Sequence, residues 1–470
     1  MENCTVSYSD ELKSIIGFDC LYFCCSFGRW LLIISILHII LCSLGEHERS
    51  AETLTFFRCR MSAFWLSLYD VTNFGHVMKI SVKVTLAGIM MVLAGLVGFA
   101  QDVPVADVKC GPWVTNVSDE AFNVLWTSNY RTLSYVEVAP DDGSDFDACR
   151  RQRFYQTVSG RRVIDTFHNV RVTGLEKGVK YRYRIMSKAV LNDDSAYHTD
   201  YGELVQLPVA GESAVRILDP EAETCRFTML NDVHADDEKY RKLVKDVQPD
   251  DMDFLVLAGD MMSYINDIDA MVSHVYGPVP ELVANVPTFY TRGNHETRGK
   301  YAYLFQKYNP TVSGDTYFLL RHGPVAVVVL DAGEDKPDSS KEYSEAVDFD
   351  LFRQQQLEWL KTAVEDPAFR EAPVKVAVMH IPAFNSEGSW YGEKRANEML
   401  VPVLNEAGVD IMLSGHYHKY VLAEKGRYGN DFPILANDNV SRLDFSSDGN
   451  GYEIRIYDLE GKLTRCVTDR

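Results

Sequence analysis

Five short motifs that carry carboxylate, amide and imidazole side chains lie between residues 232 and 418, and each follows an apolar run rich in β-branched residues. The motifs are, in order, Asp232-Val233-His234, Gly259-Asp260, Gly293-Asn294-His295-Glu296, His380 and Gly415-His416-Tyr417-His418. Side chains of these types are ligands for transition metals, and a hydrolytic centre with two metals needs several of them in one place. Each motif alone is more typical of a polar turn or a strand end. Their joint, ordered occurrence favours a metal-dependent hydrolase.

Seven side chains are the candidate metal ligands. They are Asp232, His234, Asp260, Asn294, His380, His416 and His418. Asp260 follows a strand, and Gly259 lets the backbone turn sharply before it. A carboxylate has two oxygens and can bridge two cations, and Asp260 is the natural candidate. Mixed oxygen and nitrogen ligation suits Mn, Fe or Zn better than Ca or Mg. We therefore expect two divalent transition-metal ions.

Compact apolar runs of strand length precede the motifs and alternate with helical patterns. The predicted strands are residues 226–230, 254–258, 288–291, 325–330, 374–379 and 410–413, the predicted helices include 351–364 and 395–407, and a hairpin is predicted over 452–468. This alternation indicates a layered α/β domain over residues 225–470. Ligands of such sheets bind beyond the carboxyl ends of the strands, and the motifs fall there.

Residues 107–208 have no helical periodicity and alternate apolar and polar residues, as in 122–126 and 181–185. Turn-forming sequences such as Glu176-Lys177-Gly178 separate the alternating segments. Short strands at this spacing predict an antiparallel β-sandwich. Residues 209–224 have neither pattern, and we interpret them as a linker.

The motif set is similar to the signature of the calcineurin-like metallophosphoesterase superfamily, D-x-H, G-D, G-N-H-[DE], H and G-H-x-H, over residues 226–470. The resemblance implies a β-sandwich flanked by helices, the αββα metallophosphoesterase fold. It also implies two ligand sets, Asp232, His234, Asp260 and His418 for one metal, and Asp260, Asn294, His380 and His416 for the other. Residues 174–181 resemble the end of a fibronectin-III-like module, similar to the small N-terminal domain of enzymes of the purple acid phosphatase type.

The resemblance also implies catalytic roles for His295, Arg298 and Asp232. His295 follows a ligand directly and can reach the site without binding metal, so we expect it to protonate the leaving group or to stabilise the transition state. The family often uses the equivalent of Asp232 to support this histidine. Residues 293–298 look like the phosphatase variant whose arginine binds the substrate phosphate through charge-assisted hydrogen bonds.

Two positions depart from the purple acid phosphatases. Those enzymes have glycine where His234 stands, and a tyrosine ligand three residues after the equivalent of Asp260. Here that position is Ser263, and Tyr264 comes one residue later. We therefore do not expect a purple centre with a tyrosinate bound to iron.

The reaction that these residues imply is hydrolysis of phosphate monoesters by a hydroxide shared between two metals, with a phosphorylated small molecule as substrate. A phosphodiesterase is the alternative, because monoester and diester enzymes use the same metal centre and differ in the surrounding loops. A non-catalytic exported binding protein, in which the sandwich does the work, is a second alternative. The loop over residues 386–391, with Trp390 and Tyr391, could stack a nucleoside or a sugar, or could serve loop packing alone.

The chain has 470 residues and a formal net charge of -20, and the acidic excess lies after residue 100. Such a surface repels polyanions, which argues against nucleic acid as a partner. Six of the ten cysteines lie in the first 59 residues, and only Cys110, Cys149, Cys225 and Cys466 follow. These four permit one or two disulfides but suit buried free thiols about as well.

Residues 78–100 have the pattern of a secretory signal peptide of bacterial type. Lys79 and Lys83 supply the positive region, residues 84–97 the apolar core, and Gly98 and Ala100 the small residues before cleavage. The pattern predicts a soluble periplasmic or secreted protein with no stable membrane span in its mature form.

Because the signal begins at Met78, we interpret residues 1–77 as an upstream extension that is not part of the working protein. The alternative is a membrane protein, but the apolar segment over residues 30–44 is short for a bilayer core of ~30 Å.

N-terminal sequencing of the protein recovered from its producing cell tests the secretion hypothesis. We expect the mature chain to begin at Gln101, because signal peptidase cleaves after small residues of the kind found at 98 and 100. A mature chain that begins well before Gln101 contradicts export by this signal.

Overall fold

The computed structural model describes residues 104–209 and 214–469. They fall within one compact unit, residues 102–470. The predicted extension 1–77, the signal peptide 78–100 and the apolar segment 30–44 lie outside the described residues. In the described ranges, no helix has both the length and the apolar character needed to cross a bilayer.

Residues 108–216 form an all-β region whose strand pairs are antiparallel. Its strands are β1 (Val108–Thr115), β2 (Ala121–Pro140), β3 (Gln152–Phe154), β4 (Thr157–Val158), β5 (Arg161–Arg162), β6 (Ile164–Thr173), β7 (Lys180–Asn192), β8 (Asp200–Tyr201), β9 (Val205–Gln206) and β10 (Ala214–Arg216). The long strand β2 organises the region, because its first half pairs with β1 and β6 while its second half pairs with β7 and β3. The antiparallel character was predicted, and the likeness to fibronectin III stays a prediction.

The interval 209–224, interpreted from the sequence as a linker, contains β10. This strand pairs with β7, where Val215 lies opposite Tyr181. Val215 and the following Ile217 are buried in the core. Three strand residues are too few to show a period of two, so the sequence pattern missed this strand.

Residues 225–469 alternate strands and helices. The strands are β11 (Cys225–Leu230), β12 (Phe254–Ala258), β13 (Thr288–Thr291), β14 (Phe318–His322), β15 (Val325–Leu330), β16 (Val374–Met379), β17 (Ile411–Ser414), β18 (Val421–Ala423), β19 (Ile434–Ala436), β20 (Ser441–Ser447), β21 (Tyr452–Asp458) and β22 (Leu463–Asp469). The helices are α1 (Asp237–Leu243), α2 (Ile268–Tyr276), α3 (Pro280–Asn285), α4 (Phe305–Tyr308), α5 (Phe349–Ala363), α6 (Pro367–Arg370) and α7 (Tyr391–Glu406). Short 3-10 helices occur at Pro249–Asp251, His295–Thr297, Ala302–Leu304 and Lys341–Tyr343. Every strand and helix predicted from the apolar runs of this region is present, with bounds that agree within a few residues.

Two mixed sheets of six strands form the centre of this part, in the orders β13-β12-β11-β20-β21-β22 and β14-β15-β16-β17-β19-β18. Side chains of both sheets share one core, for example Phe227 and Val256 with Val327 and Val376. Helices α1 and α2 cover the outer face of the first sheet, and α5 and α7 cover that of the second. The layers are therefore helix, sheet, sheet and helix, as expected for the αββα fold. Strands covered on both faces have continuous apolar sequences, and β12 is buried along its whole length.

The all-β region packs directly on the helices that cover the first sheet. Trp113 of β1 is fully buried and stacks on Tyr276 of α2 with ring centroids 4.3 Å apart. The Tyr183 hydroxyl of β7 donates to the Ala284 carbonyl of α3 at 2.7 Å. Buried contacts of this kind make the predicted sandwich and the α/β part share their cores.

The four cysteines within the described residues are unpaired. Cys110 and Cys225 are buried, and burial raises the pKa of the Cys110 thiol to about 11. The reading as free thiols therefore holds for these four.

His168 on β6 gives the fold a specific dependence on pH. It is buried, stacks on Trp126, and its Nε2 lies 2.9 Å from Thr132 Oγ1. Burial lowers the pKa of His168 to about 4 from the ordinary 6.5. Between these values the unfolded chain binds a proton that the folded chain does not, so stability falls as the pH drops through this window.

We expect His168→Gln to lose less stability than the wild type as the pH falls from about 6.5 to about 4, because the variant has no imidazole to protonate on unfolding. Urea denaturation across this range measures the free energy of unfolding of both proteins. Parallel pH profiles for the two proteins would contradict the assignment.

Candidate metal centre

The seven predicted ligands lie on loops that leave the carboxyl ends of parallel strands. They are Asp232 and His234 after β11, Asp260 after β12, Asn294 after β13, His380 after β16, and His416 and His418 after β17. Strands β11, β12 and β13 are parallel within the first sheet, and β15, β16 and β17 within the second. Parallel neighbours end at the same edge of a sheet, so the two facing sheets bring both sets of loops together.

Five of these residues have a positive φ angle, a backbone conformation that residues other than glycine rarely adopt. Their φ angles are 55° for Asp232, 55° for His234, 54° for Asp260, 72° for His416 and 53° for His418. Such a conformation costs roughly 1–3 kcal/mol per residue and persists where the surrounding structure fixes it, which is typical of functional sites. The fold thus maintains strain at the positions that aim these side chains.

One group of potential ligands consists of Asp232, His234 and His418, with one ligand atom from each within 4.8 Å of the others. Asp232 Oδ1 lies 3.2 Å from His418 Nε2 and 3.9 Å from His234 Nε2, and the two imidazole nitrogens are 3.2 Å apart. The His418 side chain is 47% exposed whereas Asp232 is fully buried, so this group opens to solvent on one side.

A second group consists of Asp260, His380 and His416. His380 Nε2 lies 2.9 Å from Asp260 Oδ2, and His416 Nδ1 lies 3.1 Å from Asn294 Oδ1. Asp260, Asn294 and His380 are all buried. This group is therefore the more enclosed of the two.

Asp260 connects the two groups. It also forms a third group with His234 of the first set and His295. Its Oδ1 accepts a hydrogen bond from the His295 backbone N–H at 2.9 Å, while its Oδ2 faces the imidazoles of His380 and His295 at 2.9 and 3.9 Å. This central placement is what a bridging carboxylate requires.

Two buried atoms at the centre make no hydrogen bond of good geometry, Asp232 Oδ1 and His380 Nε2. Each nonetheless lies near ligand atoms of other residues, since His380 Nε2 is 3.9 Å from Asp232 Oδ1 and 2.9 Å from Asp260 Oδ2. His380 Nδ1 donates to the Ala258 carbonyl at 2.8 Å, which leaves the lone pair of the neutral ring on Nε2. Buried polar atoms need a partner, and a cation between them provides one. The residues therefore fit a pair of divalent metal ions.

The charges of the site also favour a bound cation. Burial alone would lower the pKa of His380, but the carboxylates of Asp260 and Asp232 raise it to about 10. Burial would likewise raise the pKa of Asp260, and the positive charge on His380 lowers it below its usual range. Two buried carboxylates thus attract positive charge, whether it is a proton or a metal cation.

The imidazoles of His234 and His416 remain neutral near pH 7. Burial, together with the charge of a neighbouring histidine, lowers the pKa of each to about 4. Metal ligands must be unprotonated, so both rings are ready to bind a cation at neutral pH.

Glu296 is a buried carboxylate for which no role was predicted. It accepts hydrogen bonds from the backbone N–H groups of Asp260, Met262 and Gly293 and from the Tyr290 hydroxyl, at 2.7 to 2.9 Å. Burial and the charge of Asp260 raise its pKa to about 7. Glu296 fixes the loops of Asp260 and Asn294 relative to each other.

His295 and Arg298 lie next to each other beside the ligands. His295 Nδ1 lies 2.8 Å from the Ser263 carbonyl, which only accepts hydrogen bonds, so this nitrogen carries the proton. His295 Nε2 then accepts from Arg298 NH1 at 3.1 Å. Donation of a proton by Nε2 requires Arg298 to move away first.

The predicted support of His295 by Asp232 is not present within the described residues. The Asp232 Oδ2 accepts instead from Asn231 Nδ2 and from the His416 backbone N–H, each at 2.8 Å. Its Oδ1 faces the histidines of the first group. Asp232 therefore has the position of a ligand, and the backbone carbonyl of Ser263 orients His295 in its place.

Glu334 is a second buried carboxylate that the sequence did not reveal. It forms a two-point ion pair with Arg298, through Nε at 2.7 Å and NH2 at 2.9 Å. Glu334 belongs to none of the five motifs, and its neighbours in the sequence are not spaced as ligands, so no local signal indicated it.

The aromatic residues near the site lie at its edge. Tyr264 is 57% exposed. Trp390 is 50% exposed and precedes α7. The Tyr391 hydroxyl donates to Asp350 at 2.7 Å, so this bond joins α7 to α5.

Two facing mixed sheets with a His/Asp cluster at their parallel strand ends define a metal-binding protein of the αββα class. Residues 225–420 match the family model of the calcineurin-like phosphoesterases. Residues 225–420 are therefore a calcineurin-like phosphoesterase domain.

The chain is similar to two plant proteins and to one parasite structure. It is 25% identical to "Probable purple acid phosphatase 20" of Arabidopsis thaliana over 43% of this chain and 47% of that protein. It is 22% identical to "Purple acid phosphatase 23" of the same plant over 54% of this chain and 57% of that protein. The chain thus spans about half the length of these curated relatives. Among solved structures, GAP50, the anchor in the inner membrane complex of Plasmodium, is 15% identical over 52% of this chain and 88% of that chain, with a TM-score of 0.38.

Gly415 gives a test of the ligand geometry. A Cβ at this position would lie 2.6 Å from Asp232 Oδ2 and 2.8 Å from Asn231 Cβ, both buried side chains with no space to move. We therefore expect Gly415→Ala to displace Asp232 and to weaken binding of Zn²⁺ or Mn²⁺ about 10–100-fold, as measured by competition with a chelator.

The matched control is Gly388→Ala, because a Cβ at Gly388 meets nothing within 4 Å. This variant should bind the metals as the wild type does. Equal metal affinity of the Gly415→Ala variant and the control would show that Asp232 does not hold metal.

Proposed function

We propose that the protein is an exported, metal-dependent phosphoesterase that hydrolyses monoesters of small phosphorylated molecules. One observation supports this most strongly: seven side chains of metal-ligand type, distant in the sequence, converge around Asp232 Oδ1 and His380 Nε2, two buried atoms without hydrogen bonds. The superfamily of the domain supports the same reaction class.

The proposed cofactors are two divalent transition ions, Mn, Fe or Zn. Asp232, His234 and His418 would hold one and His380, His416 and Asn294 the other, with Asp260 between them. Once bound, such ions supply Lewis-acid activation of water and neutralise charge on the phosphoryl oxygens.

The protein groups around the ions contribute binding and proton transfer. Arg298 directs NH1 towards His295 and the ligand cluster, where it can donate to a phosphate oxygen. When Arg298 turns to the phosphate, His295 Nε2 is released, and this ring can then interact with the leaving-group oxygen. A monoester presents more oxygens to these donors than a diester does, so we propose the monoester as the preferred substrate.

The proposed export depends on the sequence of residues 78–100, whose two lysines, apolar core and small residues are typical of a signal peptide. The acidic net charge of -20 supports a small-molecule substrate over a nucleic acid.

The direct test is metal analysis of the purified protein together with hydrolysis of p-nitrophenyl phosphate and bis-p-nitrophenyl phosphate. We expect bound metal and faster turnover of the monoester. Faster turnover of the diester would make the protein a phosphodiesterase. A protein that binds no metal and stays inactive with manganese, iron or zinc is no enzyme of this class.

Two variants separate metal binding from catalysis. Asp260→Asn should lose both metal and activity, because the central carboxylate serves both ions. His295→Ala should keep its metals and lose on the order of 10²–10⁴-fold in kcat, with a smaller change in KM. An unchanged kcat of His295→Ala on an unactivated alkyl phosphate would refute the assigned role of His295.

A further inference from the structure

Glu334 lies fixed beneath the proposed substrate-binding arginine. The residue is fully buried, and its backbone carbonyl accepts a hydrogen bond from Arg353 NH2 at 2.6 Å. A Cβ on Gly392 would lie 2.2 Å from that carbonyl oxygen, so helix α7 packs closely against it. The backbone of Glu334 therefore has no room to shift.

The carboxylate of Glu334 is as tightly held as its backbone. Besides Arg298, it accepts from Thr297 Oγ1 at 3.0 Å, from the Tyr343 hydroxyl at 3.0 Å and from the Asp335 backbone N–H at 3.2 Å. With the two bonds from Arg298, both oxygens are fully used. The carboxylate thus has one orientation, and it transmits that orientation to the guanidinium.

The two-point pair leaves one nitrogen of Arg298 without a contact to Glu334. Because Nε and NH2 bind Glu334, the planar guanidinium can only direct NH1 away from it, and NH1 lies 3.1 Å from His295 Nε2. His295 in turn belongs to the ligand group of Asp260 and His234. The NH1 group of Arg298 is therefore directed towards the cluster of candidate metal ligands.

We propose that Glu334 is a positioning residue that holds Arg298 with its NH1 group ready for the phosphate of the substrate. This inference rests on the proposed function. Within the described residues, no hydrogen bond joins Glu334 to a candidate ligand or to His295, so it acts through the orientation of Arg298.

The test compares Glu334→Gln, Arg298→Ala and the double variant by binding of inorganic phosphate to the metal-loaded protein, by KM and kcat for p-nitrophenyl phosphate, and by metal content. Gln offers one acceptor and one donor, so it cannot accept both bonds of the guanidinium. We expect Glu334→Gln to keep its metals and to weaken phosphate binding on the order of tenfold, with a parallel rise in KM.

The double variant separates positioning from general destabilisation. If Glu334 acts through Arg298, the double variant binds phosphate no more weakly than Arg298→Ala alone, because the second change removes nothing further. Additive losses, unchanged phosphate affinity of Glu334→Gln, or loss of metal from it would each overturn the proposal. Should Glu334→Gln fail to fold, Glu334→Asp keeps the charge but is one methylene too short for the two-point pair, and the same outcomes apply to it.

The matched control is Glu137→Gln in the all-β region. The Glu137 side chain is 2% exposed and pairs with Arg184 at 2.6 Å and Arg153 at 2.8 Å, so the substitution breaks a similar buried pair away from the cluster. It should leave phosphate affinity unchanged. A wild-type protein without phosphoesterase activity would refute the proposed function, whereas an active wild type with additive losses refutes the role of Glu334 alone.

Discussion

The cluster of candidate metal ligands is organised around two carboxylates, those of Asp232 and Asp260, which are almost completely buried. A buried carboxylate is costly unless positive charge or hydrogen bonds compensate it. In the part of the chain that the structure describes, their ionisable partners are histidines, and no lysine or arginine side chain forms an ion pair with either. A protonated imidazole supplies a single positive charge, so divalent cations compensate the two carboxylates more fully. The site is thus built around a deficit of positive charge.

The loops that bear these carboxylates are fixed by strain and by close packing. Five potential ligands have positive φ angles, and the glycines of three motifs bring the loops into direct contact. A Cβ on Gly259 would lie 2.5 Å from His380, and one on Gly293 would lie 2.3 Å from Asp260 Oδ1. Glu296 joins the loops from behind with hydrogen bonds to three backbone N–H groups. The buried strands of both sheets supply the stability that maintains this arrangement.

A second set of partly buried ion pairs lies next to the cluster. The loop after β15 carries Asp331 and Glu334, which pair with Arg292 and Arg298 on either side of the segment that contains Asn294 and His295. These pairs connect the second sheet to the loop after β13 in the first sheet. Beyond them, the all-β region supports the helices over the first sheet through Trp113 and Tyr276. Arg292 and Arg298 are therefore held by both halves of the αββα layers.

The sequence alone determined the motifs, the ligand candidates and the buried strands. Residues 254–258 were predicted as a strand because parallel strands buried on both faces are uninterrupted apolar runs, and the structure has β12 at these positions. Strand β10 was missed because three residues show no period, and Glu334 was missed because its partner Arg298 is 36 positions away. The support of His295 was assigned to Asp232 by resemblance, whereas the structure gives it to the backbone of Ser263. Periodicity and residue type can be read from neighbouring positions of the sequence. Which carboxylate pairs with which arginine depends on how the two sheets face each other, and only the tertiary structure determines that.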